Sequence, residues 1–272
     1  MTGSGGQGLA SAALRLLAEG PCPSGEIARR VMKLRGDPGA AAAAVFALLG
    51  RDSRFRVDGS GVWSLAPDAL GRPDAPLSRT RFAVVDVETT GGAWSRGHRV
   101  TEVAVVPVES GRVREGFETL VNPLRPIPPR IQGLTGITDP MVARAPSFPG
   151  IAPAVRDRLE GCVFVAHNVH FDWGFIREEL LAALGETPDP TLLCTVRMGR
   201  ALVPGLRSYG LDSLTRHFGI HVHDRHRAYG DALATARLLV HLLMEAEAQG
   251  IGELAALEEC LAPRGRRRTR AR

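Results

Sequence analysis

Asp86 and Glu88 stand two residues apart at the end of the apolar run Phe82-Ala-Val-Val, and the chain then breaks into Thr89-Thr90-Gly91-Gly92. On a strand, residues i and i+2 share a face, so the two carboxylates lie side by side. Like charges that close repel, and burying them is costly unless something positive sits between them. A hard divalent cation with oxygen ligands, Mg2+ or Mn2+, suits such a pair. Two further carboxylates follow short polar signals. Asp172 ends His167-Asn168-Val-His-Phe-Asp172, just past an apolar run and at the start of a helix, and Asp231 follows His226 by five residues near the start of a long C-terminal helix. Taken singly, each has a plain reading. Asp-x-Glu can be a solvated turn entry, Asp172 a residue favoured at a helix start, and one histidine a structural group. His221 and His223 receive no role.

The elements that must position these groups read as follows. After the strand from Phe82, residues 99–108 and 113–121 flank a turn at Glu109-Ser-Gly-Arg112, a hairpin signal. Residues 131–140 form a glycine- and threonine-rich loop, either lying over a ligand or simply connecting. A helix is expected near 151–159, a short strand at 163–167, a helix over 171–184 with its acids and Arg177 on the outer face, and a strand at Leu192 and Leu193. A helix, residues 211–218 and a long helix over 228–248 complete the pattern. Hairpin strands first and strand–helix alternation afterwards predict one mixed sheet covered by helices.

Residues 1–66 read as a separate small domain: helices over 9–17, 26–32 (with Ser24 as its cap) and 39–49, then two short strands around Asp58-Gly-Ser-Gly61. That order resembles winged helix-turn-helix modules attached to bacterial nucleic-acid enzymes. Its third helix carries few side chains that read bases, so docking to a protein and a purely structural role stand beside DNA reading. Residues 67–81, with prolines, glycine and charges, read as a linker, and 251–272 as a C-terminal segment. The formal charge of +5 is concentrated there: residues 264–272 hold six arginines and no acid, leaving −1 for the rest. Such a tail attracts phosphate non-specifically. No stretch is long and apolar enough to span a membrane, no signal peptide is read, and the four scattered cysteines suggest neither a zinc site nor disulfides. The expectation is a cytoplasmic protein.

The ordered set Val-Val-Asp86-Val-Glu88-Thr-Thr-Gly, His-Asn-Val-His-Phe-Asp172 and His226-x4-Asp231 resembles the three exonuclease motifs of the DnaQ-like family, in its DEDDh branch, to which the proofreading epsilon subunit of bacterial DNA polymerase III belongs. Leu134-Thr-Gly-Ile-Thr138 is similar to a segment of that family. The resemblance implies an α/β fold, a ribonuclease H-like mixed five-stranded sheet flanked by helices over 82–250, beside the winged-helix-like domain. It implies a 3′–5′ exonuclease in which Asp86, Glu88, Asp172 and Asp231 hold two Mg2+ or Mn2+ ions roughly 3.5–4 Å apart. His226 takes the proton from the attacking water. Thr89, Thr90 and Gly91 contact the terminal nucleotide, Leu134 and Thr135 meet its base, and His167 with Asn168 supports the second motif. Single-stranded or frayed DNA 3′ ends are the implied substrate, with a polymerase or repair protein docking through the N-terminal domain. The alternatives are an RNA 3′-end-trimming ribonuclease of the same fold and a catalytically weak nucleic-acid-binding scaffold.

Overall fold

The computed structural model describes residues 9–66 and 75–262, except 11, 14, 15, 18, 19, 35, 51, 53 and 54. The chain divides between residues 72 and 73 into two compact units. The arginine-rich tail and most of the expected linker lie outside the described residues.

In the first unit the described residues between 9 and 17 are helical, and β1 (Cys22–Pro23), α1 (Ser24–Arg30), α2 (Pro38–Leu49), β2 (Phe55–Val57) and β3 (Val62–Leu65) follow. The three strands form an antiparallel sheet in the order β1-β3-β2. Two-residue β1 is too short to show a period, so pattern reading passes over it. Apolar periodicity brings Leu16, Leu17, Ile27, Val45 and Leu49 around Trp63. Ser24 does not cap α1. Pro23 holds that position, while the Ser24 hydroxyl donates to the Gly61 carbonyl (2.9 Å) and accepts from the Trp63 indole N–H (3.0 Å). A hydroxyl committed to the hairpin tip makes no capping bond to its own helix. Asp37 caps α2 through the Ala40 N–H at 2.7 Å.

The second unit contains β4 (Arg81–Thr89), β5 (Val100–Glu109), β6 (Arg112–Val113), β7 (Phe117–Leu120), α3 (Pro129–Thr135), α4 (Asp139–Val142), α5 (Phe148–Leu159), β8 (Val163–Ala166), α6 (Val169–Leu184), β9 (Leu192–Cys194), α7 (Thr195–Leu202), α8 (Leu211–His217), α9 (Ala228–Ala248) and α10 (Leu254–Leu261). Its mixed sheet runs β6-β5-β4-β8-β9, and β7 also pairs with β5. β4 is antiparallel to β5 and parallel to β8, which is parallel to β9. The sheet thus has six strands rather than five. The expected strand over 113–121 splits because three residues, Arg114 to Gly116, oppose two, Val106 and Pro107. Gly116 is required at this bulge: a Cβ there would lie 2.9 Å from the Tyr229 ring.

β4 places the site. Phe82 and Val84 face the core shared with α9, whereas Ala83, Val85 and Val87 face the core under α5 and α6. Alternation continues Asp86 and Glu88 along the α9 side, where the strand runs out of its apolar cover. The long helix approaches closely because Ala228, Ala232 and Ala236 line its buried stripe.

Three further expectations change. Residues 131–140 are no open loop: α3 and α4 are joined at Gly136, which takes the left-handed conformation (φ 71°), and the Asp139 carboxylate accepts from the Ile127 N–H and the Gln132 amide. The acids of α6 are not all outside, since Glu179 is buried 3.9 Å from Arg99. The inner ends of the expected linker and C-terminal segment are core: Leu77, Leu254 and Leu257 join the α9 cluster, and the Leu77 and Leu254 N–H groups bond across to Gly252 and Ala75. No helix among the described residues is long and apolar enough to cross a membrane.

Because Leu257 is fully buried in that cluster, Leu257→Ala is expected to cost about 2–5 kcal/mol. Urea unfolding of the full chain checks this, and a loss below about 0.5 kcal/mol, as at an ordinary surface position, would show α10 to be an appendage.

Candidate active site

One oxygen each of Asp86, Glu88 and Asp231 lies within 4.8 Å of the other two. Asp86 and Glu88 come from one face of β4, and Asp231 from the first turn of α9. Asp172 stands outside that trio. It is buried one turn into α6, and its Oδ1 accepts the Val87 backbone N–H at 3.1 Å. The β8–α6 corner makes this reach possible: Asn168 adopts a left-handed conformation (φ 82°), turning the chain sharply from strand into helix.

The electrostatics follow from this crowding. Burial pushes the Asp86 carboxyl well above the ordinary carboxylate range, and Asp172, Asp231 and Glu88 push it further. Burial, then Asp231, Glu102 and Asp172, raises Glu88 to about 8. Asp172 is raised by burial despite the bond from Val87. Asp231 Oδ1 is buried with no hydrogen-bond partner. Hard oxygen donors, convergent and short of counter-charge, fit a divalent cation.

His226 is exposed in the loop before α9, with a left-handed backbone (φ 61°). Its N–H donates to Asp231 Oδ2 at 3.3 Å. Gly230 lets this loop fold back: any Cβ there would meet the His223 and Asp224 carbonyl oxygens at 2.3 and 2.4 Å.

Around these groups, Thr89 and Thr90 are buried. The Thr90 hydroxyl accepts from Arg99 N–H (3.1 Å) and meets His98 Nδ1 (3.2 Å), and that of Thr89 donates to Gly91 O (2.7 Å). The His98 ring occupies the space a Cβ on Gly91 would take, so a side chain there would displace that ring. On α3, Leu134 is exposed, whereas Thr135 is buried and its hydroxyl donates to the Ile131 carbonyl and accepts from the Ile137 N–H. His167 meets the Thr195 hydroxyl at 2.8 Å, and burial lowers its pKa to about 4, leaving the ring neutral near pH 7.

Two residues missing from the sequence reading belong here. Glu102, opposite Glu88 on β5, is buried and accepts from the Arg227 guanidinium and from the Ala228 N–H (2.8 Å), the first residue of α9. A charge inside the apolar run of β5 was the available signal. Arg225 bonds both Asp212 and Asp231, and nothing in its local sequence announces that.

The exonuclease family model matches residues 83–239, more than half of the chain. The chain is 38% identical over 167 residues to the 3′-5′ exonuclease DinG of Bacillus subtilis, a match covering 61% of this chain and 18% of that protein. It is 34% identical over 194 residues to the DNA polymerase III subunit epsilon of Aquifex aeolicus, covering 71% of this chain and 95% of that one. Exonuclease X in complex with 5′ overhanging duplex DNA superposes with a TM-score of 0.52 at 25% identity, over 67% of this chain and 99% of that chain. The chain therefore spans under a fifth of DinG but nearly all of the epsilon subunit. The matched segment runs from the strand bearing Asp86 and Glu88 to the helix bearing Asp231, and on this ground the chain belongs to the exonuclease family.

Proposed function

We propose that this chain is a metal-dependent 3′–5′ exonuclease that hydrolyses phosphodiester bonds at DNA 3′ ends, releases 5′-mononucleotides, and acts in repair or proofreading. The observation that carries the reading is the convergence of Asp86, Glu88 and Asp231 oxygens within 4.8 Å, with Asp172 buried behind the same strand. These four acids would hold two Mg2+ or Mn2+ ions. Bound there, such ions supply a lowered pKa for water and stabilisation of the leaving 3′-oxygen.

The chain's own groups have distinct tasks in this reading. His226, exposed and tied through its backbone to Asp231, accepts the proton of the attacking water. Exposed Leu134 offers an apolar surface to the terminal base, and buried Thr135 holds the end of α3 in shape. The strand end at Thr89, Thr90 and Gly91, held in shape by the internal bonds of both threonine hydroxyls, contacts the terminal nucleotide. Neutral His167 and left-handed Asn168 fix the corner from which Asp172 projects. DNA is preferred over RNA because the epsilon subunit is by name part of a DNA polymerase and exonuclease X is seen in complex with 5′ overhanging duplex DNA. In the N-terminal unit, read as winged-helix-like, Phe46 and Leu34 are exposed while α2 carries no basic side chain. That favours docking a polymerase or repair protein over reading bases.

Stepwise shortening of 5′-labelled single-stranded DNA, compared with RNA of the same sequence, tests the reading. Asp86→Ala is expected to abolish Mg2+-dependent release without unfolding the chain, since removing one acid relieves the repulsion among the rest. A variant that keeps the parental rate ends the metal-site assignment.

His226→Ala should slow the chemical step by roughly 10²–10⁴-fold while leaving Mg2+ binding unchanged. A variant with the parental single-turnover rate would assign the base elsewhere.

The acids also predict a pH effect on stability. Glu88 has a folded pKa of about 8 against an ordinary 4.5, and Asp86 and Asp172 shift the same way. The folded state therefore holds protons that the unfolded state releases. That stabilisation is complete below the unfolded pKa and disappears as pH rises through about 8. With a chelator present, Tm should fall across this window, and added Mg2+ should raise Tm most at its upper end. Thermal melts in chelator and in Mg2+ check this; a Mg2+ effect independent of pH contradicts it.

A further inference from the structure

Arg225 lies in the loop between α8 and α9, and its guanidinium bridges two carboxylates. Nη1 meets Asp231 Oδ2 at 2.5 Å, and Nε meets Asp212 Oδ1 at 2.7 Å. The two ends of this bridge differ in surroundings: the Asp231 side chain is 9% exposed and that of Asp212 64%. One end reaches into the acid cluster and the other faces water. Asp231 Oδ2 also accepts the His226 N–H, whereas Oδ1 has no partner. The loop holds this arrangement through left-handed backbone at Asp224 (φ 51°) and His226 (φ 61°).

We propose that Arg225 is an exchangeable counter-ion of Asp231, displaced when a divalent cation binds the acid cluster, and that Asp212 is the outer anchor that keeps the displaced guanidinium. The inference rests on the metal-site reading above. Its physical basis is competition between like charges. A guanidinium and a divalent cation on one carboxylate repel each other by more than thermal energy even in a water-like dielectric. Arg225 could instead aid the cation by orienting Asp231, but with the Arg225 and Asp231 side chains 32% and 9% exposed the repulsion is screened less than in water, and one hydrogen bond does not offset it. The His226 N–H also holds the same oxygen in place without adding a full charge. Arg225 therefore raises the metal concentration at which the site loads, and Asp212 lowers it by offering the guanidinium another partner.

The two side chains must then act with opposite signs, which a merely structural role does not produce. The test is Mn2+ binding to the full chain without nucleic acid, read from the electron paramagnetic resonance of free Mn2+. Arg225→Gln is expected to tighten Mn2+ about tenfold, and Asp212→Asn to weaken it several-fold, as removal of a neighbouring cation or anion requires. In the double variant the Asp212→Asn effect should shrink, because much of it acts through Arg225. Asp212→Asn alters only an exposed side chain and carries the test should Arg225→Gln not fold. Mn2+ binding by the parent, together with Arg225→Gln no tighter or Asp212→Asn no weaker, overturns this inference alone. If the parent binds no Mn2+, the metal-site reading falls and this inference with it.

Discussion

Repulsion among Asp86, Glu88, Asp172 and Asp231 is the force that the surrounding fold has to hold in check. Three of these groups are raised well above the ordinary carboxylate range, and in each burial is the first cause. The sheet imposes the crowding. β4 carries two acids on one face, parallel pairing with β8 brings α6 and its Asp172 behind the strand, and the alanine stripe of α9 lets Asp231 close in from above. Only the Val87 N–H bond to Asp172 favours an acid here, and burial outweighs it. The apolar clusters on both sides of the sheet stabilise the arrangement, and the site spends part of that stability on charge density.

Glu102 shows how the fold limits the cost. It lies directly opposite Glu88, where like charges destabilise a strand pair. Its carboxylate is answered by the Arg227 guanidinium and by the first N–H of α9. A helix N-terminus favours negative charge, so one acid of the pair is neutralised while Glu88 is left for the cluster. The same clamp fixes the start of α9. It thereby sets the height of Asp231 and the loop bearing Arg225 and His226. Charge placement and backbone placement are one device here.

Close backbone approach does the remaining positioning. Gly91 admits the His98 ring beside the strand end, and Gly230 admits two carbonyl groups over the first turn of α9. At neither position is the backbone left-handed; the requirement is space. At Gly230 a side chain would push backbone off the first turn of α9, and at Gly91 it would displace the His98 ring, so these glycines serve the site through packing.

Much of this was legible in the residues. Period-two alternation through Phe82 to Glu88 puts both acids on one face, and helical spacing outlines α5, α6 and α9. The identity and order of the acids and His226 are linear information, and so was the family resemblance. Other features depend on segments far apart in the chain. β1 exists only because β3 lies beside it, and α10 is core because α7 and residues 75–77 close against it. That Asp86, Glu88 and Asp231 share a centre while Asp172 turns one oxygen to Val87 is decided by how α6 and α9 pack on β4. The burial of Glu102 and Glu179 and the bridge made by Arg225 are decided in the same way. By itself the sequence determined which chemical groups are present and which face of its own element each one takes, because local periodicity follows from backbone geometry. Only the tertiary structure decided which of them meet, because that depends on packing between elements that no local pattern encodes.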